Sequence, residues 1–211
     1  KSGIAHYLEH LMFKGTDTLE PGELSKTVTA NGGSDNAFTS WDFTAYFQRI
    51  ASDRLPLVMG MEADRMANLN IRDEDWQAER QVVLEERAQR VDSDPAALFA
   101  EELNAVVYDN HPYGRPIIGW RGEIEALTRD DAVAWYDTHY SPNEAVLVMP
   151  CILDTLPGTV PTDWELPLKF VPAPPGLSFA FHPRVTRRPG AMGIYAMTGG
   201  ATGIGAAIKN R

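Results

Sequence analysis

Cysteine is all but missing from the sequence: Cys151 stands alone among 211 residues. No intrachain disulfide can form, and neither a cysteine-rich zinc site nor a redox pair is available. Long apolar runs are missing too, although 44% of the residues are hydrophobic, so no segment is suited to spanning a bilayer. Positive charge is scarce, with 19 Lys and Arg against 29 Asp and Glu and a formal net charge of −10. That balance argues against nucleic acid and anionic membranes as partners and suits a cationic or peptide-like one. The first residue is Lys1 rather than methionine; any targeting segment belongs upstream of it, and the compartment is left open. The composition is that of a globular chain able to bury a sizeable core in one or two domains.

Against that background, polar residues gather in a stretch that otherwise reads as a helix. In "GIAHYLEHLMFKGT", residues 3 to 16, His6 and His10 stand four apart with Glu9 between them. Residues three and four apart share a helical face, so both imidazoles face one way and Glu9 reaches the rim of the same face. Leu8, Leu11 and Met12 supply apolar surface elsewhere. One helix thus offers two metal ligands and a carboxylate beside them, whereas a catalytic zinc site takes three protein ligands and leaves a position for water. The H-x-x-E-H pattern alone is also compatible with an ordinary helix carrying polar residues.

Periodicity predicts a helix over residues 2 to 14 closed by Gly15, and a second over 21 to 30 closed at Asn31 to Gly33. Phe43, Ala45 and Phe47 alternate with Thr44, Tyr46 and Gln48, the period of a half-buried strand, so two strands joined near Ser40 and Trp41 follow. Helical spacing returns over 53 to 69 and again from Asp73 to Val91, then resumes at Pro95 behind the cap Asp94. In "ERQVVLEE", residues 79 to 86, Glu79 and Glu86 lie two turns apart and project from nearly the same side. A carboxylate from this second helix can complete a His, His, Glu set. Val82, Val83 and Leu84 predict a largely buried helix, in which a carboxylate needs a partner; the alternative is that Glu85, Glu86 and Arg87 form a solvated face.

In order and approximate spacing, "GIAHYLEHLMFKGT", "NGGSDNAFTSWDFTAYF", "ERQVVLEE", "HPYGRPIIGW" and "YSPNEAVLVM" resemble the pitrilysin/insulinase family of metallopeptidases, the inverzincins. The resemblance covers residues 1 to about 149 and looks closest to the branch of mitochondrial processing peptidases and their bacterial relatives. It implies an α+β fold, a largely antiparallel sheet covered by helices. It implies Zn²⁺ held by His6, His10 and Glu86, with Glu9 as general base and Glu79 as a supporting carboxylate behind the site. It further implies that Asn36 and Ala37, on an edge strand beside the metal, contact an extended peptide substrate. The activity implied is zinc-dependent endopeptidase hydrolysis through a zinc-activated water, with Glu9 moving its proton. Relatives carry strands before the first zinc helix and a related second half or partner subunit that closes over substrate; neither is in this chain. A noncatalytic zinc-binding interaction subunit, or an inactive fragment of such a peptidase, is the alternative. His111, in "HPYG", reads as a turn residue rather than a ligand.

The resemblance ends near residue 149, and the chain is divided there into a zinc metallopeptidase catalytic module, 1–149, and a divergent tail, 150–211, with no assigned function. Residues 151 to 211 hold 8 of the 15 prolines and 8 of the 17 glycines, a density that lowers the expectation of regular structure. "TGGATGIG", Thr198 to Gly205, looks like the nucleotide-binding turn of short-chain dehydrogenases. With six residues beyond it, there is no room for a Rossmann unit.

Overall fold

The computed structural model describes residues 1–141, 145–148 and 202–209. The first helix, α1 (Ile4–Leu11), begins at Gly3, whose φ of 77° is open to glycine and strained for other residues. A Cβ on Gly3 would stand 2.5 Å from the Ile118 carbonyl oxygen and 2.9 Å from the Gly119 Cα, so the entry to α1 lies directly on that backbone. The helix ends at Leu11, earlier than periodicity predicts. The Met12 N–H closes on the Leu8 carbonyl, while Gly15, at φ 101°, belongs to the turn that follows.

After α2 (Glu23–Ala30) come the hairpin strands β1 (Ser34–Thr39) and β2 (Phe43–Ile50), then α3 (Leu55–Asn68), α4 (Asp73–Arg87) and α5 (Pro95–Val107). Two helices absent from the sequence reading, α6 (Arg121–Glu125) and α7 (Arg129–His139), precede β3 (Ala145–Val148) and β4 (Thr202–Lys209). The start of α7 is fixed by a capping box in which Thr128 and Asp131 satisfy each other's backbone N–H.

The sheet has the order β1-β2-β4-β3, and every neighbour is antiparallel. The expected α+β architecture is therefore present, with β1 as an edge strand. One expectation is corrected: residues 202–209 of the Pro/Gly-rich tail form a regular strand between β2 and β3. Thr202 to Gly205, the second half of the glycine-rich motif, pair with Ile50 to Phe47 in extended conformation instead of turning into a helix. The first half of that motif and the remainder of the tail lie outside the described residues.

The face that β2 turns inward is its less apolar one. Thr44, Tyr46, Gln48 and Ile50 are buried, whereas Phe43 and Phe47 are half-buried and meet the Phe38 ring edge-on and tilted, with centroids at 5.7 and 6.5 Å. Burial of a polar group is tolerated when it is paired. The Tyr46 and Tyr140 hydroxyls meet at 2.6 Å, and Gln48 donates to Glu62. The buried guanidinium of Arg65 forks onto both Glu62 oxygens at 2.6 Å and covers the Tyr46 and Phe13 rings at 4.4 and 5.1 Å.

The α1 helix packs against α4 and α7 as well as against β1 and β2, and its Tyr7, Leu8 and Leu11 join Tyr46, Val83, Ile124 and Leu127 in the main core. The α4 helix is not largely buried: Val82 is 49% exposed, and the inward line is Glu79, Val83 and Arg87, one residue per turn. Arg87 donates to both Glu101 oxygens, at 2.7 and 2.9 Å, and to the Gly119 carbonyl at 2.7 Å. It thereby ties α4 to α5 and to the backbone on which α1 starts. Between α4 and α5 the chain makes a wider π turn over Ala88–Asp92, in which the Ser93 N–H reaches back five residues to the Ala88 carbonyl.

Candidate functional site

His6 and His10 are one turn apart on α1, and Glu86 comes to them from the last full turn of α4. The His6 Nε2 and His10 Nε2 atoms lie 3.6 and 3.4 Å from Glu86 Oε2. Donors about 2.0–2.1 Å from a tetrahedral zinc are separated from one another by about 3.3–3.4 Å, so these spacings fit one shared ion. A further observation agrees with that fit: Glu86 Oε2 is buried and has no hydrogen-bond partner, the condition of an acceptor aimed at a missing cation. Among the described residues His6, His10 and Glu86 form the one such group of three, with donor atoms all within 4.8 Å of one another.

Around these three, other side chains fix orientation. Glu79 Oε1 accepts from His10 Nδ1 at 2.8 Å, so that in the neutral ring the Nε2 lone pair faces Glu86. Its Oε2 meets Lys14 Nζ at 2.5 Å. Burial works against the Glu79 charge, but His10 and Lys14 outweigh it and hold the carboxyl below the usual range. Proximity to His10 does the same for Glu86. His6 is less supported, since its Nδ1 is buried without a partner.

Glu9 is buried beside the pair and accepts from the Thr39 hydroxyl through Oε2. Among the described residues no hydrogen bond takes its Oε1. Burial pushes its pKa up, against the opposing pull of Thr39 and His10. A carboxylate with one oxygen pinned, one open and raised basicity is suited to accepting a proton from a neighbouring water.

These groups lie at the foot of a cleft of about 790 Å³. One wall is β1 from Asn36 to Thr39, and another is the segment from Tyr113 to Ile118. Asn36 is exposed, and its Oδ1 accepts from the Ala37 N–H at 2.8 Å, so a strand arriving at this edge has to displace that side chain. Trp41, at the hairpin tip, donates to the Arg115 carbonyl at 3.0 Å, and Tyr113 donates to Asp42 at 2.7 Å, which holds the two walls together. His111 lies apart from the cluster, exposed, and accepts from the Tyr113 N–H.

Sequence reasoning did not single out Thr39, Lys14 or Arg90 as part of the site. Arg90, 2.7 Å from Glu86 Oε1, and Lys14 carry a legible signal, each four residues beyond a member of the set. Thr39 carries none, because its contact with Glu9 spans thirty residues.

The family described as Insulinase (Peptidase family M16) matches residues 1–120. The zinc protease PqqE of Helicobacter pylori is 38% identical over 149 residues, 71% of this chain and 34% of that protein. A probable mitochondrial-processing peptidase subunit beta of Schizosaccharomyces pombe is 33% identical over 146 residues, 69% of this chain and 32% of that protein. The crystal structure of a protease from Helicobacter pylori superposes with a TM-score of 0.63 at 40% identity, covering 67% of this chain and 34% of that one. The periplasmic protease PqqL of Escherichia coli gives 0.58 at 26%, covering 66% and 16%. The chain thus spans about a third of the length of the curated relatives it matches. With a family match over more than half of its residues, the chain belongs to the insulinase family of zinc peptidases, peptidase family M16.

Proposed function

We propose that residues 1–149 are the catalytic module of a zinc endopeptidase that hydrolyses peptide bonds in extended peptides. The observation that carries this reading is the triangle of His6 Nε2, His10 Nε2 and Glu86 Oε2 beside a buried, half-free carboxylate at the foot of a cleft. When bound to that triangle, zinc lowers the pKa of a coordinated water toward about 7 and polarises a carbonyl. Glu79 orients His10 and balances its charge. Glu9 takes the water proton on Oε1 and returns it to the leaving amine, while Thr39 keeps its other oxygen fixed. The edge strand β1 offers backbone groups at Asn36 and Ala37 to an extended peptide, which the adjoining walls then read by side chain. We assign closure over the substrate and exclusion of water to a related second half or partner subunit, in keeping with the third of the relatives' length spanned here.

The test is Glu9→Gln, assayed together with a complementary second half. The substitution keeps the size of the side chain and much of its hydrogen bonding but removes proton acceptance. Zinc content is expected to stay at the wild-type level while hydrolysis falls by roughly 10² to 10⁴. Loss of zinc from the variant makes Glu9 a ligand and overturns its role. A wild-type protein that binds zinc and never turns over under these conditions supports the noncatalytic interaction subunit instead.

A further inference from the structure

We propose that Arg90 is a positioning residue that keeps Glu86 bound through a single oxygen, so that the remaining coordination position stays open. The inference rests on His6, His10 and Glu86 being the zinc ligands. The two oxygens of Glu86 are divided between different tasks. Oε2 faces both imidazoles at 3.4 and 3.6 Å, buried and without a hydrogen-bond partner. Oε1 is taken by Arg90 Nη1 at 2.7 Å. Carboxylates bind metals through one oxygen or through both; a Glu86 that turned both toward the ion would fill the position a catalytic site keeps free. The guanidinium is ion-paired with Oε1, and its charge competes directly with that rotation.

The local backbone favours this pairing. Arg90 lies in the π turn that starts at Ala88, and the wider turn carries a residue four positions on back over Glu86. Such turns recur at functional sites. The turn is itself anchored, because Arg87 grips Glu101 and the Gly119 carbonyl immediately before it, and Asp92 at its end is held by Arg121 at 3.0 Å. The Arg90 side chain is 74% exposed against 15% for Glu86, and an ion pair with one partner so open to solvent is screened and adds little to folding stability. Its consequence is therefore the orientation of Glu86, and removing it leaves the thermal midpoint nearly unchanged.

Cobalt(II) titration of the metal-free chain tests the proposal without recourse to turnover. The visible d–d bands of cobalt weaken as coordination expands from four to five. Arg90→Ala is expected to bind cobalt as tightly as wild type or more tightly, with bands weaker on the order of two-fold, and Arg90→Lys to restore most of the intensity. A spectrum of Arg90→Ala that superimposes on wild type overturns the proposal. A loss of cobalt affinity of about ten-fold or more also overturns it, since Arg90 would then support the site as a whole. Failure of the wild-type chain to bind cobalt at all refutes the ligand assignment instead, which keeps the two failures distinct.

Discussion

Zinc uptake at this site is expected to expel one proton per ion from His10 at neutral pH, beside what the coordinated water gives up. Burial opposes charging of His10, but the Glu79 and Glu86 carboxylates outweigh it and push the pKa up to about 9. Burial, followed by repulsion from His10, pushes His6 down to about 4. The metal-free pair therefore holds one proton at pH 7, on His10, and both rings have to be neutral to bind. A raised pKa puts the competition on the acid side. At pH 7 about 1% of His10 is neutral, so apparent affinity lies about 100-fold below its alkaline limit. Affinity should climb about ten-fold per pH unit from pH 5 to 8, which is about 2.7 kcal/mol between pH 6 and 8, and level off above pH 9. Calorimetry in two buffers of different ionisation enthalpy counts the proton directly. In Glu79→Gln the charged acceptor on Nδ1 is gone while Glu86 still favours the charged ring, so the His10 pKa falls and proton release at pH 7.5 should drop below the wild-type count. An affinity that changes less than about three-fold between pH 6 and 8 refutes the reasoning.

Other perturbations report on the scaffold. Arg87→Ala leaves the Glu101 carboxylate and the Gly119 carbonyl without their shared donor, and should cost about 3–5 kcal/mol in a urea titration; a cost under about 1 kcal/mol speaks against the network. Gly3→Ala forces a Cβ to 2.5 Å from the Ile118 oxygen at φ 77°, so a loss of about 1–3 kcal/mol and a lower melting temperature are expected. On α5, Phe99 and Val106 are 68% and 75% exposed with Leu103 between them, an apolar stripe that favours association. The double variant Phe99→Gln, Val106→Lys should sediment as a smaller species than wild type at equal concentration, and identical sedimentation rules the stripe out as the cause.

The centre of the site was legible because helical spacing alone brings His6, Glu9 and His10 together, and seven-residue spacing aligns Glu79 with Glu86. Hydropathy misread the elements that carry charge inward. Arg65 and Arg87 look like solvated residues in the sequence, yet both are buried, since Glu62 and Glu101 supply forked partners that no local pattern announces. In β2 the alternation marks a half-buried strand without saying which face is inner, and it is Tyr46 and Gln48 that find partners inside. For α7 the sequence carries a local signal in Thr128 and Asp131, the capping pair three residues apart. The β4 strand was masked by Gly203 and Gly205, which contribute no side chain to an alternating pattern and read as a turn.

The position of β4 between β2 and β3 has a consequence for the chain during its synthesis. The β2 strand meets β1 as soon as the hairpin has emerged, but its other edge pairs Phe43 with Lys209 and Ile50 with Thr202. At about 5–20 residues per second, the ribosome needs about 8–30 s to deliver what lies between. Closing so long a loop costs little more free energy than closing a shorter one, but non-local pairing of this kind is slow. Throughout that interval α1 and both histidines are already outside, resting on a sheet with one flank open to any passing strand.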